Sequence, residues 1–80
     1  MKKNLDFYLN IRYPIEIVNI DANEGGGVLA SIPFLGRHAF LGDGDTLEEA
    51  LKNLEDIKTY LFQKYLAQGA PIPVYHCHAA

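Results

Sequence analysis

From Leu47 onward the apolar positions recur at helical intervals. Leu47, Ala50, Leu51, Leu54, Ile57, Leu61 and Tyr65 gather on one side, while Glu48, Lys52, Glu55, Asp56 and Lys64 lie largely on other faces. Thr46 stands in front of this run as a hydroxyl cap, and Glu49, three residues on, is placed to reach back in a capping box. Glu48 and Glu49 also suit the positive end of the helix dipole, and Glu48 can pair with Lys52 across one turn. Gly69 followed by Pro71 is a stop signal. The pattern therefore predicts a helix of about 20 to 23 residues, roughly 30 to 35 Å long.

Upstream of Gly44 the period changes. Asn4 before Leu5, Tyr8 and Leu9 allows one or two capped helical turns. Pro14 and the β-branched run Ile15-Glu16-Ile17-Val18-Asn19-Ile20 then read as a strand. Ile15 and Ile17 fall on one face and Val18 and Ile20 on the other, so both faces are expected to be partly covered. The polar, glycine-ended stretch Asp21 to Gly27 fits a hairpin reversal. Val28, Ala30 and Ile32, alternating with Leu29 and Ser31 up to Pro33, make the second strand. A third strand is expected over Arg37-His38-Ala39-Phe40-Leu41, ended by a Gly42-Asp43-Gly44 turn, and Pro71-Ile72-Pro73-Val74-Tyr75 suits an edge strand. Together these give an α+β fold: a three-stranded antiparallel meander packed on one long helix, with a short N-terminal helix and a C-terminal edge strand. Residues 1–75 form the single domain and 76–80 a tail.

Composition narrows the function classes. Eighty residues, 49% of them hydrophobic, suffice for one small core. A net charge of −3 disfavours life on a phosphate backbone and suits a basic partner. The single cysteine, Cys77, excludes an intrachain disulfide. Lys2 and Lys3 are followed by a stretch too short and polar for a signal peptide, and no apolar run reaches bilayer length, so a cytoplasmic protein is expected.

Motifs that carry chemistry are weak. Gly42-Asp43-Gly44-Asp45 with Glu48 and Glu49 lacks the ligand order of a calcium loop and reads as a turn plus helix cap. Gly25-Gly26-Gly27 has no following helix start or lysine to make a phosphate loop. His76-Cys77-His78 is the densest group of soft ligands, yet it needs His38 or a second subunit to close a tetrahedral shell, and a ragged tail is the simpler reading. Ser31 has no base arranged around it in sequence. No enzyme activity and no cofactor are expected. The five tyrosines and four phenylalanines read as core and dimer packing rather than base stacking, with Phe40 and Phe62 partly exposed at an interface.

Read in order, the motifs resemble those of the HicB-like antitoxins. The residues that carry the resemblance are Tyr13-Pro14-Ile15, Gly26-Gly27, Ile32-Pro33, the glycine turn into Asp45-Thr46-Leu47-Glu48-Glu49-Ala50-Leu51-Lys52-Asn53-Leu54, and Gly69-Ala70-Pro71-Ile72-Pro73. The likeness spans Leu5 to Tyr75, and its specificity lies in the order and spacing of the set. It implies a fold related to a partial double-stranded-RNA-binding domain. It also implies a role: binding a small basic RNA-cleaving toxin of the HicA type and covering its RNA surface and catalytic histidine. Where the family commonly shows a loop around Pro-Gly-Cys, this chain reads Phe34 to Asp43, and no helix-turn-helix or ribbon-helix-helix segment follows the long helix, so direct DNA binding is not expected. Under this reading the partner-binding residues are Glu24, Arg37, His38, Asp43, Asp45 and Glu48, and the chain is expected to be a homo-oligomer, a dimer or a tetramer. A stand-alone RNA-binding module and a homo-oligomeric structural domain are the alternatives.

Overall fold

A computed structural model describes residues 4–75. Its element order is α1 (Leu5–Leu9), β1 (Glu16–Asn19), β2 (Val28–Ser31), β3 (Leu41–Gly44) and α2 (Leu47–Gln68), with the strands in one antiparallel sheet of order β1-β2-β3. Asn4 caps α1 by accepting from the Phe7 amide at 3.1 Å. Between β1 and β2 a 3-10 turn at Ala22–Glu24 gives way to Gly25, Gly26 and Gly27, all with positive φ, a backbone course that only glycine follows without strain. The expected hairpin is therefore present.

Both ends of α2 form as the sequence signals. The Thr46 hydroxyl accepts from the Glu49 amide at 3.2 Å. At the other end Gly69 adopts a left-handed conformation, its amide reaching the Leu66 carbonyl and the Ala70 amide the Tyr65 carbonyl, a Schellman pattern. The reciprocal Glu49 carboxylate bond and the Glu48–Lys52 pair do not form among the described residues.

The third strand is displaced from its expected place. Arg37, His38 and Ala39 lie in consecutive turns that run from Pro33 and are closed by the Phe40 amide on the Gly36 carbonyl at 2.9 Å. The stretch expected to be the turn, Leu41-Gly42-Asp43-Gly44, is the strand itself, paired from Ser31↔Leu41 to Val28↔Gly44. Its physical reason is the helix above it. Ala30 and Gly42 share the row beneath α2, and Val28 and Gly44 the next. A Cβ on Gly42 would stand 2.5 Å from the Ala50 carbonyl oxygen, and one on Gly44 2.8 Å from the Ala50 amide. Residues that read as turn formers are here the ones that let a helix touch a strand.

The buried stripe of α2 is Ala50, Leu54, Lys58 and Phe62, so the helix is rotated from the expected stripe. Leu47 and Leu51 are left exposed, and Ile57, Leu61 and Tyr65 are half-buried. Phe40 and Phe62, expected at an exposed interface, are 1% and 0% exposed. Phe62 is the hub of the core, its ring 5.7 Å from Phe40 and 6.0 Å from both Tyr8 and Tyr13. α2 packs on β3 and β2 but not on β1. Consequently β1 is exposed on both faces rather than partly covered on each.

Residues 71–75 make no strand. Ile72 is buried, Tyr75 meets Phe34 edge-on at 5.3 Å, and the Tyr13 hydroxyl donates to the Pro73 carbonyl at 2.6 Å. A side chain thus holds the segment that the two prolines keep out of the sheet. Burial, with a smaller contribution from Tyr8, raises the Tyr13 pKa above its ordinary value of 10.0.

Two expectations follow. Gly42→Ala should cost about 3 kcal/mol or more by wedging α2 off β3, out of a total stability on the order of 4–12 kcal/mol for this length, and urea denaturation measures the loss. Because the raised pKa favours the neutral phenol in the folded state, Tyr13 ionisation costs stability only as pH rises through and beyond about 10, where the unfolded phenol ionises first. Tyr13→Phe should lose about 1 kcal/mol at neutral pH and abolish that alkaline loss, as read by denaturation midpoints across pH.

Candidate functional site

Two strand connections meet at one end of the sheet. β3 runs antiparallel to β2, so Gly44 lies opposite Val28, and the reversal before Val28 abuts the junction that launches α2. Gly27 is close enough to Gly44 that a Cβ there would stand 3.0 Å from the Gly44 carbonyl oxygen. This packing brings Asp21 and Glu24 of the hairpin turn to the same end as Asp45, Glu48 and Glu49 at the start of α2. Asp43 joins them from β3, on the face of the sheet turned away from the helix, in the row Val18-Leu29-Asp43.

All six carboxylates are exposed, and among the described residues none forms an ion pair. The Asp43 backbone carbonyl, directed out of the sheet edge, accepts from the Asn53 side-chain amide, which ties β3 to the helix and fixes this end. Exposed Leu47 sits within the acidic group, and Leu51 stands one turn on. Both leucines match a helical period, but the buried line of α2 steps by fours through Ala50, Leu54, Lys58 and Phe62 and leaves them beside it.

The six candidate residues therefore fall into two groups. Glu24, Asp43, Asp45 and Glu48 share the acidic end. Arg37 and His38 lie in the β2–β3 connection at the opposite end, roughly 10 Å or more away along the four-residue strands. There the Arg37 guanidinium grips the Glu16 carboxylate of β1 through Nε at 3.1 Å and Nη2 at 3.2 Å. This two-point pair is exposed and contributes at most about 1 kcal/mol. Asp21 and Glu49 lie at the same end without standing out in the sequence, where Asp21 reads as part of the hairpin turn and Glu49 as part of the helix cap.

Chemistry has little to work with. Among the described residues no pocket opens, and no three His, Cys, Asp or Glu side chains are grouped to hold a metal ion. His76-Cys77-His78 lies outside the described residues. The one unexpected ionisable group is Lys58, 8% exposed in the core stripe of α2, with its ammonium 2.9 Å from the Glu55 carboxylate. Its methylene stem packs in the helix interface while the charge escapes to the surface at Glu55. No helix among the described residues is long and apolar enough to cross a membrane.

No family model, no curated protein and no solved structure matches this chain. The class that the structure defines is thus a small α+β domain with a three-stranded antiparallel sheet on a long helix and one acidic end.

Since Lys58 acts through its stem, Lys58→Met should preserve or raise stability, by up to about 1 kcal/mol. Lys58→Ala should lose about 1–2 kcal/mol through the cavity it leaves. Thermal and urea unfolding of the two variants separate packing from charge.

Proposed function

We propose that this domain is a HicB-like antitoxin-type inhibitor, which binds a small basic RNA-cleaving protein of the HicA type and covers its RNA-binding surface. The observation that supports it most is the acidic end: six exposed carboxylates gathered at one end of the sheet, none of them in an ion pair among the described residues, with Leu47 exposed beside those of the helix start. A nuclease that holds RNA presents cations where the phosphates lie, and carboxylates set on a rigid turn and helix start match such a surface. Leu47 supplies an apolar contact next to the helix-start charges. The domain contributes occlusion, and the chemistry belongs to its partner.

Binding RNA directly is less favoured by the same surface. Of the cations among the described residues, Lys58 is buried and Arg37 is held by Glu16, which leaves Arg12, Lys52 and Lys64 without a common track.

A tagged chain, recovered from its source after nuclease treatment, should carry a small basic protein in stoichiometric amount, identified by mass spectrometry. Recovery of no basic partner would remove the proposal. With the partner in hand, Asp43→Lys combined with Glu48→Lys should weaken binding at least about tenfold, because like charges facing across an interface cost several kcal/mol. Asp6→Lys, on α1 and distant from this end, should leave affinity unchanged. Equal affinity for all three proteins in a titration would place the contact elsewhere.

A further inference from the structure

The other exposed feature is the β1 edge. Ile15, Ile17 and Val18 are 47%, 40% and 44% exposed, and among the described residues no element packs on either face of the strand. The devices that normally blunt a free edge are missing within it: there is no proline, no lysine and no bulge between Glu16 and Asn19. Its only charge, Glu16, is already neutralised by Arg37 of the same chain.

The backbone of β1 has a definite pattern of free groups. The Ile20 amide bonds the Gly27 carbonyl at 2.9 Å, so Ile20, Val18 and Glu16 direct their hydrogen-bonding groups toward β2. Ile15, Ile17 and Asn19 alternate with them and direct N–H and C=O outward, where they have no partner among the described residues. A strand added antiparallel at this edge satisfies all of them.

We infer that the occupant is β1 of a second copy of this chain, paired across a two-fold axis that passes through Ile17. Self-complementarity selects both the partner and the register. Centred on Ile17, Ile17 faces Ile17 of the second copy as a fully bonded pair, Ile15 faces Asn19, and Glu16 faces Val18. No like charges are opposed, and every outward group is used. Centring the axis on Asn19 instead sets Ile17 against the charged Asp21. Centring it on Ile15 sets Pro14 against Glu16 and demands Tyr13, which is buried and bonded to Pro73. An axis on Val18 sets Ile15 against the charged Asp21, and one on Glu16 opposes the two Glu16 side chains, so among these registers the Ile17 one unites apolar contact with complete backbone pairing.

The product is a continuous six-stranded antiparallel sheet with both copies of α2 on one side. Its acidic ends lie away from the axis, so the pairing neither needs nor blocks the toxin-binding reading, and each stands or falls alone. A standard interface takes about 800 Å² from each partner, roughly a seventh of the 5871 Å² that the chain exposes. A single strand edge is smaller than that, and the dimer forms with mass action in the measurable range rather than as an obligate unit.

Sedimentation velocity of the full chain over a wide concentration range should show monomer passing to dimer. Ile17→Lys should remain monomeric throughout with an unchanged helical circular dichroism signal. In a Cys77→Ser background, Ile17→Cys should cross-link to a covalent dimer under mild oxidation, because directly opposed bonded residues stand ~5.5 Å apart at Cα, within disulfide reach. Asn19→Cys in the same background, four residues out of register with its own copy, should not. The inference is overturned by a wild-type chain that stays monomeric at every concentration, by a dimer that cross-links through Asn19 instead of Ile17, or by assembly that occurs only with a different protein on this edge. The cross-linking pair keeps the test decisive if Ile17→Lys fails to fold.

Discussion

Everything in this small domain hangs on the approach of α2 to the backbone of β3. Gly42 and Gly44 present no side chain, Ala50 presents only a methyl group, and helix and strand meet at atomic contact. That closeness fixes the height of the helix above the sheet, and with it which residues of α2 are inside. It lets Ala30, Ile32 and Phe40 close against Leu54 and Phe62 to form a continuous core from so few residues. Dispersion between closely packed atoms is weak per pair and large in sum, so a gap of one methyl group along this seam would be felt across the whole core.

The same seam explains what the sequence reveals and what it hides. The long helix is legible to the residue at both ends because Thr46 and Gly69 act locally, through bonds to amides and carbonyls within a turn of themselves. The hairpin is legible for the same reason: three successive glycines answer three successive positive φ angles. β3 is not, because Gly-Asp-Gly carries the signature of a turn while its purpose in this fold is long-range, set by a helix that comes later in the chain. Lys58 misleads similarly. A charged residue reads as surface, yet its stem holds a core position, and admitting it rotates the stripe so that Leu47 and Leu51 fall outside the sheet's cover. The tail also escapes a sequence pattern, since one tyrosine hydroxyl and one carbonyl, sixty positions apart, substitute for a ladder.

The candidate surface was legible only in part. Helix-start carboxylates are conspicuous in the sequence, and so is an overall acidic balance. What no linear pattern discloses is that the hairpin turn is brought against the helix start while Arg37 and His38 are carried to the far end. Surface charges have no periodicity that reports their neighbours. The strand edge is the converse case: Ile15, Ile17 and Val18 look like ordinary buried-strand residues, and their exposure follows only from the narrow footprint of a single helix over three strands.

The Tyr13–Pro73 hydrogen bond has a topological meaning beyond its contribution to stability. It joins the segment that leads into β1 to the segment that follows α2, sixty positions apart, so the reach of one side chain spans the stretch of chain that holds the whole sheet and the long helix. That stretch is a loop closed by a single hydrogen bond. The fold shuts on itself there through a contact that belongs to no strand and no helix.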